Sequence, residues 1–308
     1  MAFNTIHRKQ HNFGWDNSFP PAIRIAPGDE LEFECTDASA GQYTRATTAA
    51  DVPLLDFTRV NPVVGPIFVE GAEPGDAIGV EVLDLQEGGW GWTAAIPGFG
   101  LLAEDFPEPA YHISEYNSTS VQFEPGITLP FRPFAGTVGL ALAESGLHSI
   151  VPPREVGGNM DIRDLTIGTR LWLPVQVAGG LLSVGDTHAA QGDGEVCGTA
   201  IETSMNVRLR LSLVKDAGIK RPQFEIDGSP TRHIDERGYY ATTGVSPDLM
   251  EAAKDAIRDM IEHMGREYGL EPSLAYMLCS VAVDLRISEI VDQPNWLVSA
   301  YLPKAIFA

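Results

Sequence analysis

Only three cysteines occur in 308 residues, Cys35, Cys197 and Cys279, and no two form a C-x-x-C pair. A disulfide framework is not expected, and a reducing compartment fits. No apolar run approaches the roughly 20 residues of a membrane span. The opening "MAFNTIHRKQHNFGWDNSFPP" has no apolar stretch of signal-peptide length, so a soluble, cytoplasmic protein is expected. Basic residues are scarce: 21 Lys and Arg stand against 42 Asp and Glu, for a net charge of -21. Such a field repels phosphate backbones and anionic lipid surfaces, so neither nucleic acid nor a membrane is an expected partner. A neutral or cationic substrate is compatible with it. There is no Gly-x-Ser-x-Gly elbow and no Ser-Ser-Lys cluster, which leaves no obvious serine nucleophile.

What is present is turn punctuation between short apolar alternations. The chain holds 31 Gly and 22 Pro. In "APGDELEFECTDA", Pro27-Gly28-Asp29 makes a turn, and Leu31, Phe33 and Cys35 then alternate with glutamates, the period of a half-buried strand. "EPGDAIGVEVLDL" from Glu73 repeats the phrase, and "TIGTRLWLPVQVAGG" from Thr166 is a weaker third version. Strands at this density predict a mainly β protein built of jelly-roll or sandwich-like and small barrel units.

Helical patterning comes late. "SPDLMEAAKDAIRDMIEHMGREYG" predicts a helix capped by Ser246, with Leu249, Ala253, Ala256, Met260 and Met264 on its apolar face, Ile257 and Ile261 beside them, and Gly269 as its stop. A second helix is expected from Pro272 to just before Pro294, with Cys279 buried in it as a structural thiol. The expected domains are residues 1-60 with 131-206 as a β-sandwich carrying the site, 61-130 as a small β-barrel, and 207-308 as an α/β portion with two helices and a closing strand. That closing strand, "LVSAYLPKAIFA", suits pairing at a sheet edge within the chain or across a two-fold axis, and a homodimer is expected.

The chemistry concentrates in "GDTHAAQGDGEVCGTAIE", Gly185 to Glu202. In extended backbone, residues two apart face one side, so Asp186 and His188 can converge on one point, as a carboxylate and an imidazole do on zinc. Asp193 and Glu195 repeat the spacing, and Glu202 follows one strand later. Upstream, Gly157-Gly158 precedes Asn159 and Asp161, again two apart. The expected metal ligands are Asp161, Asp186 and His188. Glu202 and Glu195 are the candidate general bases. Asn159, Asp193, Asp37 and Trp92 are the candidate substrate contacts. The expected ion is divalent, zinc first and calcium second. Trp90 and Trp92 are expected on a glycine-rich loop over the pocket. His148 is a further candidate ligand, whereas His112, His233 and His263 are expected at the surface. Cys197 is the one plausible thiol nucleophile, but the motif lacks the lysine of a nitrilase-type triad.

Together "GGNMDIRDL", "GDTHAAQGDGEVCGTAIE" and "NPVVGPIFVEGAEPGD" resemble the acetamidase/formamidase family of amide hydrolases, in the expected order and across nearly the whole chain. Val64 stands where a Thr is expected. The resemblance implies a mostly β fold, hydrolysis of small carboxamides to carboxylate and ammonia, and a metal in some members. The alternatives are a noncatalytic β-domain protein binding metal or carbohydrate through the same acids, and a hydrolase of another small C–N or C–O bond.

Overall fold

The computed structural model describes residues 4–86, 88–227, 237–291 and 293–308. Among them the chain is mainly β, arranged as four sheets with two helices near the C-terminal end. The first sheet has six strands, in the order Asn4–Ile6, Glu30–Glu34, Asn206–Val214, Ala77–Gln86, Arg170–Pro174, Gln223–Glu225. All three turn-then-strand phrases of the sequence lie in it. Leu31, Phe33, Leu171 and Leu173 turn into the core, as the alternation predicts. The opposite face carries charge: Arg208 and Arg210 reach across to Glu30 at 3.0 and 2.7 Å.

The second large sheet runs Gly157–Asn159, Phe134–Gly139, Leu182–His188, Val63–Val69, His11–Asn12, with Ile23–Ile25 also on Val63–Val69. Leu182–His188 is buried at all seven positions because it has neighbours on both edges and packing on both faces. A third sheet stacks Ile127–Pro130, Ser120–Glu124, Ala110–Tyr116 and Trp90–Ala95.

The segment 61-130, expected as a small barrel, therefore contributes strands to three sheets, and no closed barrel forms among the described residues. Long-range pairing overrides the local grouping: Ala77–Gln86 pairs with Asn206–Val214 and with Arg170–Pro174. Trp90 and Trp92 are likewise in a strand, paired with Glu115 and Ile113 respectively, and not on a loop.

Helix α1, Leu249–Tyr268, starts two residues later than predicted. Its cap is Asp248, whose carboxylate accepts the Met250 and Glu251 N–H groups. Gly269, at φ 68°, ends it as expected. Its buried face is Ala252, Ala256, Ile257, Met260, Ile261 and Met264, with Leu249 and Ala253 packed half-buried against the same core, as the stripe predicts. Helix α2, Pro272–Ala282, is half the predicted length. The remainder, Asp284–Glu289, is a strand, because Val283, Leu285 and Ile287 continue at period two. Trp296–Pro303 lies between Tyr239–Ser246 and Asp284–Glu289, so the closing strand is the centre of a three-stranded sheet of its own chain. No helix among the described residues is long and apolar enough to cross a membrane.

Candidate active site

The second large sheet and the Trp90–Ala95 strand meet at Glu202. Its backbone exchanges hydrogen bonds with Trp92 at 2.8 and 2.9 Å, and it also bridges to His188. This pins Glu202 between two sheets, where its side chain is 3% exposed. His188, fully buried at the end of Leu182–His188, aims its Nε2 at Asp186 Oδ1 (3.2 Å) and Glu202 Oε2 (3.1 Å). Asp161 approaches from the loop after Gly157–Asn159, held there because both Met160 and Asp161 donate their N–H to the Gly136 carbonyl.

Supporting contacts fix these groups. His188 Nδ1 donates to Gln191 Oε1 (3.0 Å), and Gln191 Nε2 donates to the Asp161 carbonyl (2.8 Å). With Nδ1 committed, Nε2 is the ring atom left to face the acids. Asn159 donates to Asp161 Oδ2 (3.0 Å). Asn61 donates to Asn159 Oδ1 (3.1 Å) and Asp186 Oδ2 (3.2 Å), and Thr137 donates to Asn159 at 2.6 Å. Seven non-glycine residues among those described have positive φ, and four of them, Asn61, Asp161, Asp186 and Glu195, line the same cavity. Left-handed backbone at an L-residue costs roughly 1 kcal/mol or more, and such strain clusters at functional sites.

Ligating atoms of Asp161, Asp186 and His188 lie within 4.8 Å of one another, as do those of His188, Glu195 and Glu202. The residues fit a divalent cation on a specific ground: Asp161 Oδ1 is buried with no hydrogen-bond partner among the described residues, and Glu202 Oε2 is buried with only the His188 ring, 3.1 Å away and poorly aligned, to face it. An unpaired buried carboxylate oxygen is costly, and a cation is the partner that four crowded acids and one imidazole lack. The charge pattern agrees. Burial, then the nearby Asp186, pushes the Asp161 carboxyl up to about 7. Burial likewise raises Glu202 to about 7, and burial with Asp161 beside it holds Glu195 well above the carboxylate range. Burial opposes charge on His188, but Glu202 and Asp186 outweigh it and raise its pKa well above normal. The two positive charges of one divalent ion would offset this repulsion.

Above the acids is a cavity of about 250 Å³. Asn159, Asp161, Asp186, Glu195 and Glu202 line its floor, and Trp92 lines a wall. Asp37 stands behind that wall, accepting the Trp92 Nε1–H at 3.2 Å, and does not line the cavity. Asp193 lies elsewhere, paired with Arg163 at 3.1 Å. His148 is also apart, its Nε2 on the Glu144 carbonyl at 3.0 Å. His112 is half-buried rather than superficial, sandwiched against Phe123. His263 stacks on Tyr240, and His233 lies outside the described residues. Cys197 is fully buried, faces the carbonyls of Ala94 and Thr199, and has its thiol pushed up to about 11 by burial. That is a poor thiolate. Sequence reasoning missed Asn61 and Gln191. Asn61 opens the "NPVVGP" motif and Gln191 sits three residues after His188, but their hydrogen bonds cross 98 and 30 residues of chain.

The acetamidase/formamidase family model matches residues 2–149 and 141–308. The chain belongs to that family. It is 32% identical to a formamidase of Methylophilus methylotrophus over 95% of this chain and 88% of that protein. It is 32% identical to an acetamidase of Mycolicibacterium smegmatis over 70% of each. Among solved structures, a gamma lactamase from Delftia acidovorans superposes with a TM-score of 0.91, covering 99% of this chain and 93% of that one at 28% identity. An acetamidase from Bacillus halodurans superposes at 0.70, covering 97% and 96%, at 31% identity.

Proposed function

We propose that this amidase hydrolyses short aliphatic carboxamides to carboxylate and ammonia at the acid-lined floor of the cavity, with a divalent ion, zinc, held by Asp161, Asp186 and His188. The observation that carries the reading is the buried cluster of Asp161, Asp186, Glu195 and Glu202 carboxylates around His188, with Asp161 Oδ1 left without a hydrogen bond among the described residues, in a chain of this family. When bound, such an ion polarises a carbonyl and lowers the pKa of water to about 7. The chain's own groups supply the rest. Gln191 holds His188 in one tautomer, and Asn61 and Asn159 hold Asp186 and Asp161. Asn159, Trp92 and the apolar walls orient the amide. Glu202 takes a proton from the attacking water as the new C–O bond forms, and Glu195, whose carboxylate lies within 4.8 Å of it, shares the role. The proton then passes to the amide nitrogen as the C–N bond breaks, so that ammonia leaves and the acid remains. Asp37 and Asp193, expected as substrate contacts, act through neighbours in this reading: Asp37 steadies the Trp92 ring and Asp193 the Arg163 loop.

The test is ammonia release from formamide, acetamide, propionamide and urea, with chelator and with zinc or calcium restored. Turnover that ignores a chelator known to strip the protein of metal would refute the ion. No turnover on any amide, together with thermal stabilisation by metal, would favour a noncatalytic binding protein. We further infer a cytoplasmic homodimer. The closing strand is already paired on both sides, so the contact is placed instead where Met250 and Ile287, each 57% exposed, flank an apolar groove beside α1. A monomeric mass by light scattering at micromolar concentration would refute the dimer.

A further inference from the structure

The cavity is too large and too apolar at its mouth for the smallest amides. Taking about 30 Å³ per water in the liquid, its volume of about 250 Å³ corresponds to roughly eight waters, whereas acetamide displaces about three. The floor is polar, but the upper wall is not: Leu55, Phe57, Ile96, Phe99 and Val151 line it. Phe57 and Phe99 face each other edge to face at 6.5 Å, 53% and 39% exposed, although an aromatic ring gains most from burial. The Phe99 ring packs against Gly198, where any Cβ would strike it, so it is seated on the same loop that carries Glu195. Among the described residues no Lys or Arg lines the cavity, and its floor is acidic, so an acyl chain ending in a carboxylate has no partner there.

Resting on the amidase reading above, we propose that the preferred substrates are amides with an uncharged, branched or cyclic apolar acyl group of about four to six carbons, seated between Phe57, Phe99, Ile96 and Val151. Formamide and acetamide leave that wall wet. Burying each further methylene is worth roughly a fourfold gain in kcat/KM.

The experiment is a kcat/KM series on the full-length, metal-loaded protein with formamide, acetamide, butyramide, isovaleramide, cyclopentanecarboxamide and succinamic acid. The expected result is a rise of about 50-fold from acetamide to isovaleramide or cyclopentanecarboxamide, with succinamic acid poorest. Phe99→Ala and Val151→Trp, one removing the wall and one filling it, should each lower the isovaleramide-to-acetamide ratio at least fivefold. Melting curves and light scattering on both variants separate this from misfolding or altered assembly. Hydrolysis of acetamide with a flat or falling series would overturn the proposal while leaving the amidase reading intact. Absence of turnover on every amide would sink the reading beneath it. A series that rises but is unmoved in both folded variants would assign the preference to other residues and overturn this placement.

Discussion

Gly136 sits mid-strand in Phe134–Gly139 with its α-carbon against the floor of the site. A methyl group there would lie 2.8 Å from His188 Cε1 and 3.1 Å from Asp186 Oδ2, and closer still to Asp161 Oδ1. Real Cβ atoms do not approach within 3.0 Å, so the Asp161 carboxylate must retreat and the imidazole must tilt. Metal ligands tolerate about 0.2 Å of error, and a displacement of about 0.5–1 Å at Asp161 exceeds that several-fold. Misplacement on this scale costs roughly 10²-fold in rate. The backbone itself is not strained, since Gly136 is not among the positive-φ glycines, so the fold should lose only the overpacking cost of about 1–3 kcal/mol. The assays are elemental analysis after dialysis, ammonia release and urea denaturation. Gly136→Ala is expected to hold its metal weakly and to turn over about 10²-fold more slowly while still unfolding cooperatively. A variant with stoichiometric metal and turnover within threefold of the parent would refute the claim that these three groups form one centre. Gly265→Ala serves as the control: its added Cβ meets only the Leu270 carbonyl at 3.6 Å, and in α1 it should raise stability by about 1 kcal/mol.

Glu202→Gln should keep the fold and lose about two to four orders of magnitude in turnover, measured with metal content and melting temperature on the same sample. Cys197→Ser should retain most of the rate, because the buried thiol faces backbone carbonyls; a loss beyond about a thousandfold with the fold intact would argue for covalent catalysis. Metal-free protein should melt lower at pH 8 than at pH 6. The Asp161 and Glu202 carboxyls stay protonated to about pH 7 when folded but release their protons near 4 when unfolded, so stability falls as pH rises across that window. Asp76 has the opposite sign. Lys215, at 2.6 Å, and the Asp216 and Glu73 N–H groups hold its carboxyl below the usual range, so its contribution is present above the unfolded pKa and is lost as acid takes pH through the lower folded value. Asp76→Ala should cost about 1–3 kcal/mol in urea denaturation at pH 7.

The strands were legible wherever one face is buried and the other solvated: Leu31, Phe33, Leu171 and Leu173 alternate because their sheet has one wet side. The convergence of Asp186 and His188 was legible for a related reason, since period two is a property of extended backbone alone. What stayed hidden depends on pairing between distant segments. The barrel over 61-130 dissolves because Ala77–Gln86 finds its neighbours more than 80 residues downstream. Asp284–Glu289, within the predicted second helix, is a strand because Trp296–Pro303 offers it an edge. Asp193 has the spacing of a ligand, but its side chain is claimed by Arg163 from another loop, which nothing in its own neighbourhood announces.

The four left-handed side-chain-bearing residues of the cavity set a limit on how this protein can be improved. Each is a place where glycine would relax the chain, and two of them are acids of the proposed ion site. Screened for heat resistance alone, a library of variants would favour emptying the cavity of its acids, since each loss relieves like-charge crowding, and glycine at Asp161, Asp186 or Glu195 relieves backbone strain as well. The most durable descendants would be inert. Durability can be gained without that loss only at positions remote from the floor, or under a screen that keeps the substrate in the dish.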